Sequence, residues 1–148
     1  MLHMAATGDQ GLARRSRFAA PLVRRGVGAL ILEQPYYGMR RPARQFGVSL
    51  RSVADQLMMN LAAVQEARSL LRWLREDRYE HLGVTGYSMG GYTAAYTASL
   101  EDEPVAVVPV ATGSSPAPIF TDSPLARYPD WGALGGHAGR EALASLLH

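Results

Sequence analysis

The sequence predicts an α/β fold built on a mostly parallel sheet, and three observations carry that prediction. Short apolar runs alternate with segments of helical periodicity, in the order strand, helix, strand, helix, strand, helix, strand. One of the helical segments carries an apolar stripe that steps by three or four residues from Leu50 to Leu74. Last, a serine stands between glycines in Gly86-Tyr87-Ser88-Met89-Gly90, with an apolar run before it and small residues after it. Right-handed crossovers place helices on both faces of such a sheet, which gives three layers. The carboxyl ends of the strands then bring Thr7-Gly8, Pro35-Tyr36 and Ser88 to one edge.

Each element has its own signal. Met1 to Ala5 reads as the end of a strand running into Thr7-Gly8-Asp9. Residues 10–25 read as a helix with Leu12, Phe18, Leu22 and Val23 as core candidates, ended by Gly26. Val27 to Leu32 is an unbroken apolar run of strand length, as expected for a strand covered on both faces. Glu33 to Gly38 turns away from it, and Pro42 stops any early helix. Leu50, Val53, Leu57, Leu61, Val64, Ala67, Leu71 and Leu74 form the core stripe of a long helix, joined by Met58 and Met59. Ser49 is its expected N-cap, and Asp77 lies near its end. His81 to Thr85 reads as a buried strand, Gly91 to Leu100 as a helix, and Val105 to Val110 as a further buried strand whose ladder ends at Pro109. From about residue 112 to 148 the chain is rich in Gly, Pro and Ser and reads as irregular, apart from a short helix over Arg140 to Leu147. The whole reads as one domain over 1–148 without internal repeats.

Composition narrows the function classes. A chain of 148 residues, 47% hydrophobic and 19% charged, can bury a globular core. No apolar run approaches the roughly 20 residues of a membrane span, and no charged start followed by an apolar stretch marks a secretory signal, so a cytoplasmic location is favoured. Cysteine is absent, which removes disulfides, thiolate metal sites and cysteine nucleophiles. All basic residues are arginine, and the net charge is only +2. Arg14, Arg15, Arg17, Arg24 and Arg25 cluster without interleaved aromatics, so they read as a solvated helix face and nucleic acid is not an expected partner. The histidines lack metal-ligand spacing, and neither a metal nor a cofactor is expected.

The chemistry concentrates at Ser88. A serine at a sharp strand-to-helix turn, the nucleophile elbow, is pushed out at the mouth of the sheet. Glycines at 86 and 90 fit a place with no room for Cβ atoms. The helix N-terminus beyond favours developing negative charge. An oxyanion hole would combine the Met89 N–H with one from the loop Ala6-Thr7-Gly8. The bland reading, a tight turn whose serine merely caps a helix, would need none of these partners.

Three segments together resemble the α/β-hydrolase domain-containing protein 18 family. They are His3 to Asp9; Leu32 to Gly38 with Arg40 and Pro42; and Leu82 to Gly91. Their order and spacing agree from residue 3 to about Trp131, and the middle segment is the specific one, because G-x-S-x-G alone fits any α/β-hydrolase. At Ala6 the family usually has glycine. The resemblance implies the three-layer α/β-hydrolase fold, of which this chain would hold the central strands only, cut at both ends. It implies serine chemistry on a small-molecule acyl substrate, and a family histidine expected beyond the last residue.

The remaining candidates follow from the order Ser, then Asp or Glu, then His. His137 and His148 have that order, with Asp122 or Asp130 as acids, but lack the strand expected before a catalytic histidine. His3 precedes the serine and matches the family's oxyanion-loop position, where it would order the loop; His81 reads as surface. Tyr36 and Tyr37 are candidates to wall a pocket. Two functions are therefore expected in turn: a serine hydrolase working through an acyl-enzyme, or an inactive member of the fold that binds or scaffolds.

Overall fold

The computed structural model describes residues 1–77, 79–127 and 129–147. The chain forms two compact units, Met1–Thr112 and Gly113–His148. The first contains a four-stranded, all-parallel sheet of β1 (Leu2–Met4), β2 (Leu30–Ile31), β3 (Gly83–Tyr87) and β4 (Ala106–Val110), in the order β2-β1-β3-β4. Helices α1 (Ala13–Val23), α2 (Val53–Glu76) and α3 (Met89–Ser99) connect successive strands. This is the α/β architecture that the alternating pattern predicts.

Register sorts the side chains into two faces. Leu2 and Met4 on β1 lie level with Val84 and Gly86 on β3, and this face packs against α2 and α3. Leu2, Met4, Leu82, Val84, Ala63, Ala67, Leu71 and Ala94 form the resulting core. The long helix α2 begins at Ser52, whose Oγ accepts from the Asp55 N–H at 3.1 Å. Ser52 is therefore the N-cap instead of Ser49. The buried rail of α2 runs Met59, Ala63, Ala67, Leu71, with Val64 beside it. Leu57, Met58 and Leu61, expected in the stripe, are exposed, because the two alanines let α2 approach the sheet along an adjacent strip of its surface. Arg68 and Arg75 reach from α2 to the Glu101 carboxylate beyond α3, at 2.9 and 2.7 Å. Burial pushes the Glu101 carboxyl up, but hydrogen bonds from Arg75 and Arg68 outweigh it and hold the group below its usual range.

The opposite face, bearing His3, Thr85 and Tyr87, looks across a cavity towards α1. The side of α1 turned inward is not the expected one: Arg15 and Ala19 are buried, while Leu12, Phe18 and Val23 are exposed. Arg15 stays inside because anions and carbonyls surround it. Its Nε lies 3.1 Å from Asp9 Oδ2, its Nη2 lies 3.5 Å from Glu33 Oε2, and Nη1 donates to the Leu32 carbonyl. The helix is shorter than the expected 10–25, ending at Val23 with Arg24 as C-cap, and Gly26, at φ 85°, lies in the turn that follows.

Two strands differ from expectation. Val27 to Leu32 yields only the two-residue β2. β4 is an edge strand, and its apolar run is exposed along its whole length, so its faces are not covered as expected of a buried strand. Its ladder also continues past Pro109 to Val110. An apolar run of strand length does not distinguish a central strand from an uncovered edge.

The second unit carries α4 (Ala117–Thr121), a 3-10 turn at Pro124–Arg127 and α5 (Gly136–Leu147). The expected helix at 140–147 thus starts four residues earlier, and the segment before it is partly helical. Ser115 Oγ donates to the Leu147 carbonyl at 2.9 Å, and the Arg140 guanidinium stands 5.7 Å from the Trp131 ring centroid.

Candidate active site

Ser88 sits between β3 and α3 with φ 54° and ψ −121°. A non-glycine residue there costs about 1–3 kcal/mol and persists only where its surroundings over-determine it. They do so from both sides. The Ser88 N–H donates to the Val110 carbonyl at 2.9 Å, and its carbonyl accepts from the Tyr92 N–H at 3.1 Å. Three glycines make the turn possible. A Cβ on Gly86 would stand 2.3 Å from the Gly90 carbonyl carbon and oxygen. A Cβ on Gly90 would meet the Met4 oxygen at 2.6 Å, and one on Gly91 the Gly86 oxygen at 2.9 Å. Gly91 is a requirement that the five-residue motif does not announce.

Met89 is the first residue of α3, so its N–H has no intrahelical acceptor. The Gln56 amide of α2 lies 3.7 Å from the Met89 sulfur and flanks the turn. Close packing of Gly90 against Met4 and Ala5 sets the end of β1 beside the start of α3. The chain then turns at Ala6-Thr7-Gly8-Asp9, where the Asp9 N–H donates to the Ala6 carbonyl at 3.0 Å and Gly8 adopts φ 76°. Ala6 is buried and Thr7 exposed. The Gly8 N–H is occupied: it donates to the Tyr37 hydroxyl at 3.2 Å. Gly86 and Gly90 of the elbow are therefore packed with the end of β1 at Met4 and Ala5, and the loop of Ala6, Thr7 and Gly8 follows directly from that end.

The histidines of the first unit are not brought to Ser88. His3 lies level with Thr85, three residues short of the serine along the sheet, and is 3% exposed. Burial, then the charges of the N-terminus and Arg15, holds its pKa below the usual value, and its Nε2 has no hydrogen-bond partner among the described residues. His81 is exposed and precedes β3. In the second unit, His137 pairs with Glu141 at 3.3 Å on α5. Asp122 lies at the end of α4 and Asp130 between the 3-10 turn and α5. His148 lies outside the described residues.

A cavity of about 330 Å³ opens between α1 and the sheet. His3, Phe18, Leu22, Thr85, Tyr87 and Val110 line it, and Ser88 does not. Of the two tyrosines, Tyr37 is buried against the loop and Tyr36 adopts φ 67°. Neither lines this cavity. Among the described residues no three His, Asp or Glu side chains group as a metal site would need, and no helix is long and apolar enough to cross a membrane.

The family model for alpha/beta hydrolase domain containing 18 matches residues 1–142. No solved structure matches the chain. With a parallel sheet in the right order and a family match across nearly its whole length, this chain belongs to the alpha/beta hydrolase domain containing 18 family.

Proposed function

We propose that the chain carries the nucleophile and oxyanion hole of a serine hydrolase. Family membership brings an α/β hydrolase-type function. The observation that carries the finer reading is the positive φ of Ser88, held between three glycines at the carboxyl end of β3. In this reading Ser88 Oγ attacks the carbonyl carbon of an ester, thioester or amide and gives its proton to a base. The carbonyl oxygen becomes an oxyanion, received by the Met89 N–H and the free N–H of Thr7. Collapse expels the alcohol, thiol or amine with a proton, leaving the acyl group on Ser88, and water completes hydrolysis by the same route. Two donors aimed at that oxygen contribute several kcal/mol to the transition state.

A fluorophosphonate probe, compared on the chain and on Ser88→Ala, tests the reading. Labelling of the native serine alone supports it; equal labelling of both, or of neither, removes it. The base follows Ser88 in the usual chain order, so His137→Gln in the same assay assigns or discards His137.

One observation favours a second reading, an inactive binding or scaffold module of the same fold. Neither histidine of the first unit lies beside Ser88. Absence of Ser88-dependent labelling is the outcome that this reading expects.

A further inference from the structure

We propose that Tyr37 is a positioning residue of the oxyanion loop: its hydroxyl holds Gly8 in the turn and leaves the Thr7 N–H as the loop's free donor. This rests on the serine-hydrolase reading of Ser88 and adds a residue that the elbow motif does not contain.

The argument starts from the turn itself. A turn closed by Asp9 N–H to Ala6 carbonyl leaves two inner amides, Thr7 and Gly8, with nowhere to bond within it. Both amides could otherwise compete for an incoming oxyanion, or the turn could rotate between them. Tyr37 removes that freedom. Its hydroxyl accepts from the Gly8 N–H at 3.2 Å, and the residue is only 2% exposed, so water does not replace it. The Thr7 N–H has no partner among the described residues.

The geometry of Tyr37 is itself built for this. Tyr36 adopts φ 67°, and its carbonyl is tied by the Gln45 side-chain amide at 2.9 Å. The Tyr37 N–H donates to the Gln34 carbonyl at 3.1 Å. Two further bonds run between the same loops: Gly11 N–H to Glu33 Oε1 at 2.9 Å and Gly38 N–H to Gln10 Oε1 at 3.2 Å. The loop after β2 thus grips the loop after β1 at three points, and the middle one fixes the amide next to the free donor. Burial pushes the Tyr37 pKa up, so the phenol stays neutral at physiological pH. On the other side, β1 abuts Gly90 of α3, so a shift of this turn is a shift relative to Ser88.

The test compares the intact chain with Tyr37→Phe, which removes one oxygen and keeps the ring. The inactivation rate and reversible affinity of a fluorophosphonate are measured alongside amide exchange at Gly8 and thermal melting. The proposal expects the maximal inactivation rate to fall roughly ten- to a hundredfold with affinity unchanged. Faster exchange at Gly8 should accompany it. An inactivation rate within about twofold of the native protein, or unchanged exchange at Gly8, overturns it. A variant that loses affinity and rate together, with a large drop in melting temperature, shows a merely structural tyrosine and also overturns it. If the native chain shows no Ser88-dependent labelling, the serine-hydrolase reading falls and this role falls with it.

Discussion

Single residues at the elbow are constrained by distances shorter than any side chain allows. Gly90→Ala places a methyl 2.6 Å from the Met4 carbonyl oxygen, and the contact is backbone on both sides, so it cannot rotate away. The expected loss is about 1–3 kcal/mol in urea unfolding. Gly28→Ala, with nothing within 4 Å, is the matched control and should be neutral within about 0.5 kcal/mol. His3 supplies a pH dependence at the same scale. Its folded pKa lies below the ordinary 6.5, because burial and the nearby cations disfavour the charged form. The unfolded chain therefore binds the proton first, and stability is lost as pH falls below about 6.5 towards the folded value. Melting temperatures at pH 7.5 and 5.5 should differ for the native chain, and His3→Gln should narrow the gap; an unchanged gap would assign the dependence to another group.

At the scale of elements, α1 and α3 are held by unlike means. The small residues of α3 let its backbone meet β1 and β3, so shape does the work. On α1, a buried arginine does it: Arg15 gathers Asp9, Glu33 and the carbonyls of Leu32, Asp9 and Gly11. Removing one partner of such a set strands the others away from water. Arg15→Met should lower unfolding stability by about 3–5 kcal/mol, and adding Asp9→Asn should recover part of that loss. Strictly additive losses would show that the ion pair is incidental. This is also where the sequence was least informative about an element. Leu12, Phe18 and Val23 are better core formers than arginine by composition, yet all three stay exposed, Phe18 as part of the cavity lining. Nothing in the spacing of residues 10–25 reveals that Asp9 and Glu33 wait on the sheet side. Tyr37 was equally hidden, since its partner is an amide 29 residues earlier in the chain. By contrast, α2, the G-x-S-x-G turn and the turn at Gly26 that follows α1 were legible, because periodicity and glycine at a positive φ are local signals.

Across the whole molecule, what stands out is apolar surface left open on β3, β4 and α1. Val107, Val108, Val110, Tyr87 and Phe18 are all 41–61% exposed. Such a surface favours self-association, and its edges decide the route. The Ser88 N–H donates to the Val110 carbonyl, and the Ala106 N–H donates to the Leu82 carbonyl. In a parallel ladder this alternation leaves Val107 and Pro109 directed outward. Pro109 has no N–H to offer there, and β2 is only two residues long, so both sheet edges are poor templates for another strand. Association should therefore run through faces, with little gain in sheet. Pro109→Val, which restores an outward donor, should speed thioflavin-positive aggregation on warming; an unaltered rate would mean that the edge is not what limits it.

The sequence by itself determined the α/β class, the order of its elements and the place of Ser88 at a strand-to-helix turn. These follow from local patterns: apolar periodicity, glycine spacing and capping chemistry act within a few residues. Only the tertiary structure decided which face of α1 is buried, that β4 is an exposed edge, and that Tyr37 takes the Gly8 amide. Those outcomes depend on partners far along the chain, and a residue's burial is set by what reaches it, which no single segment encodes.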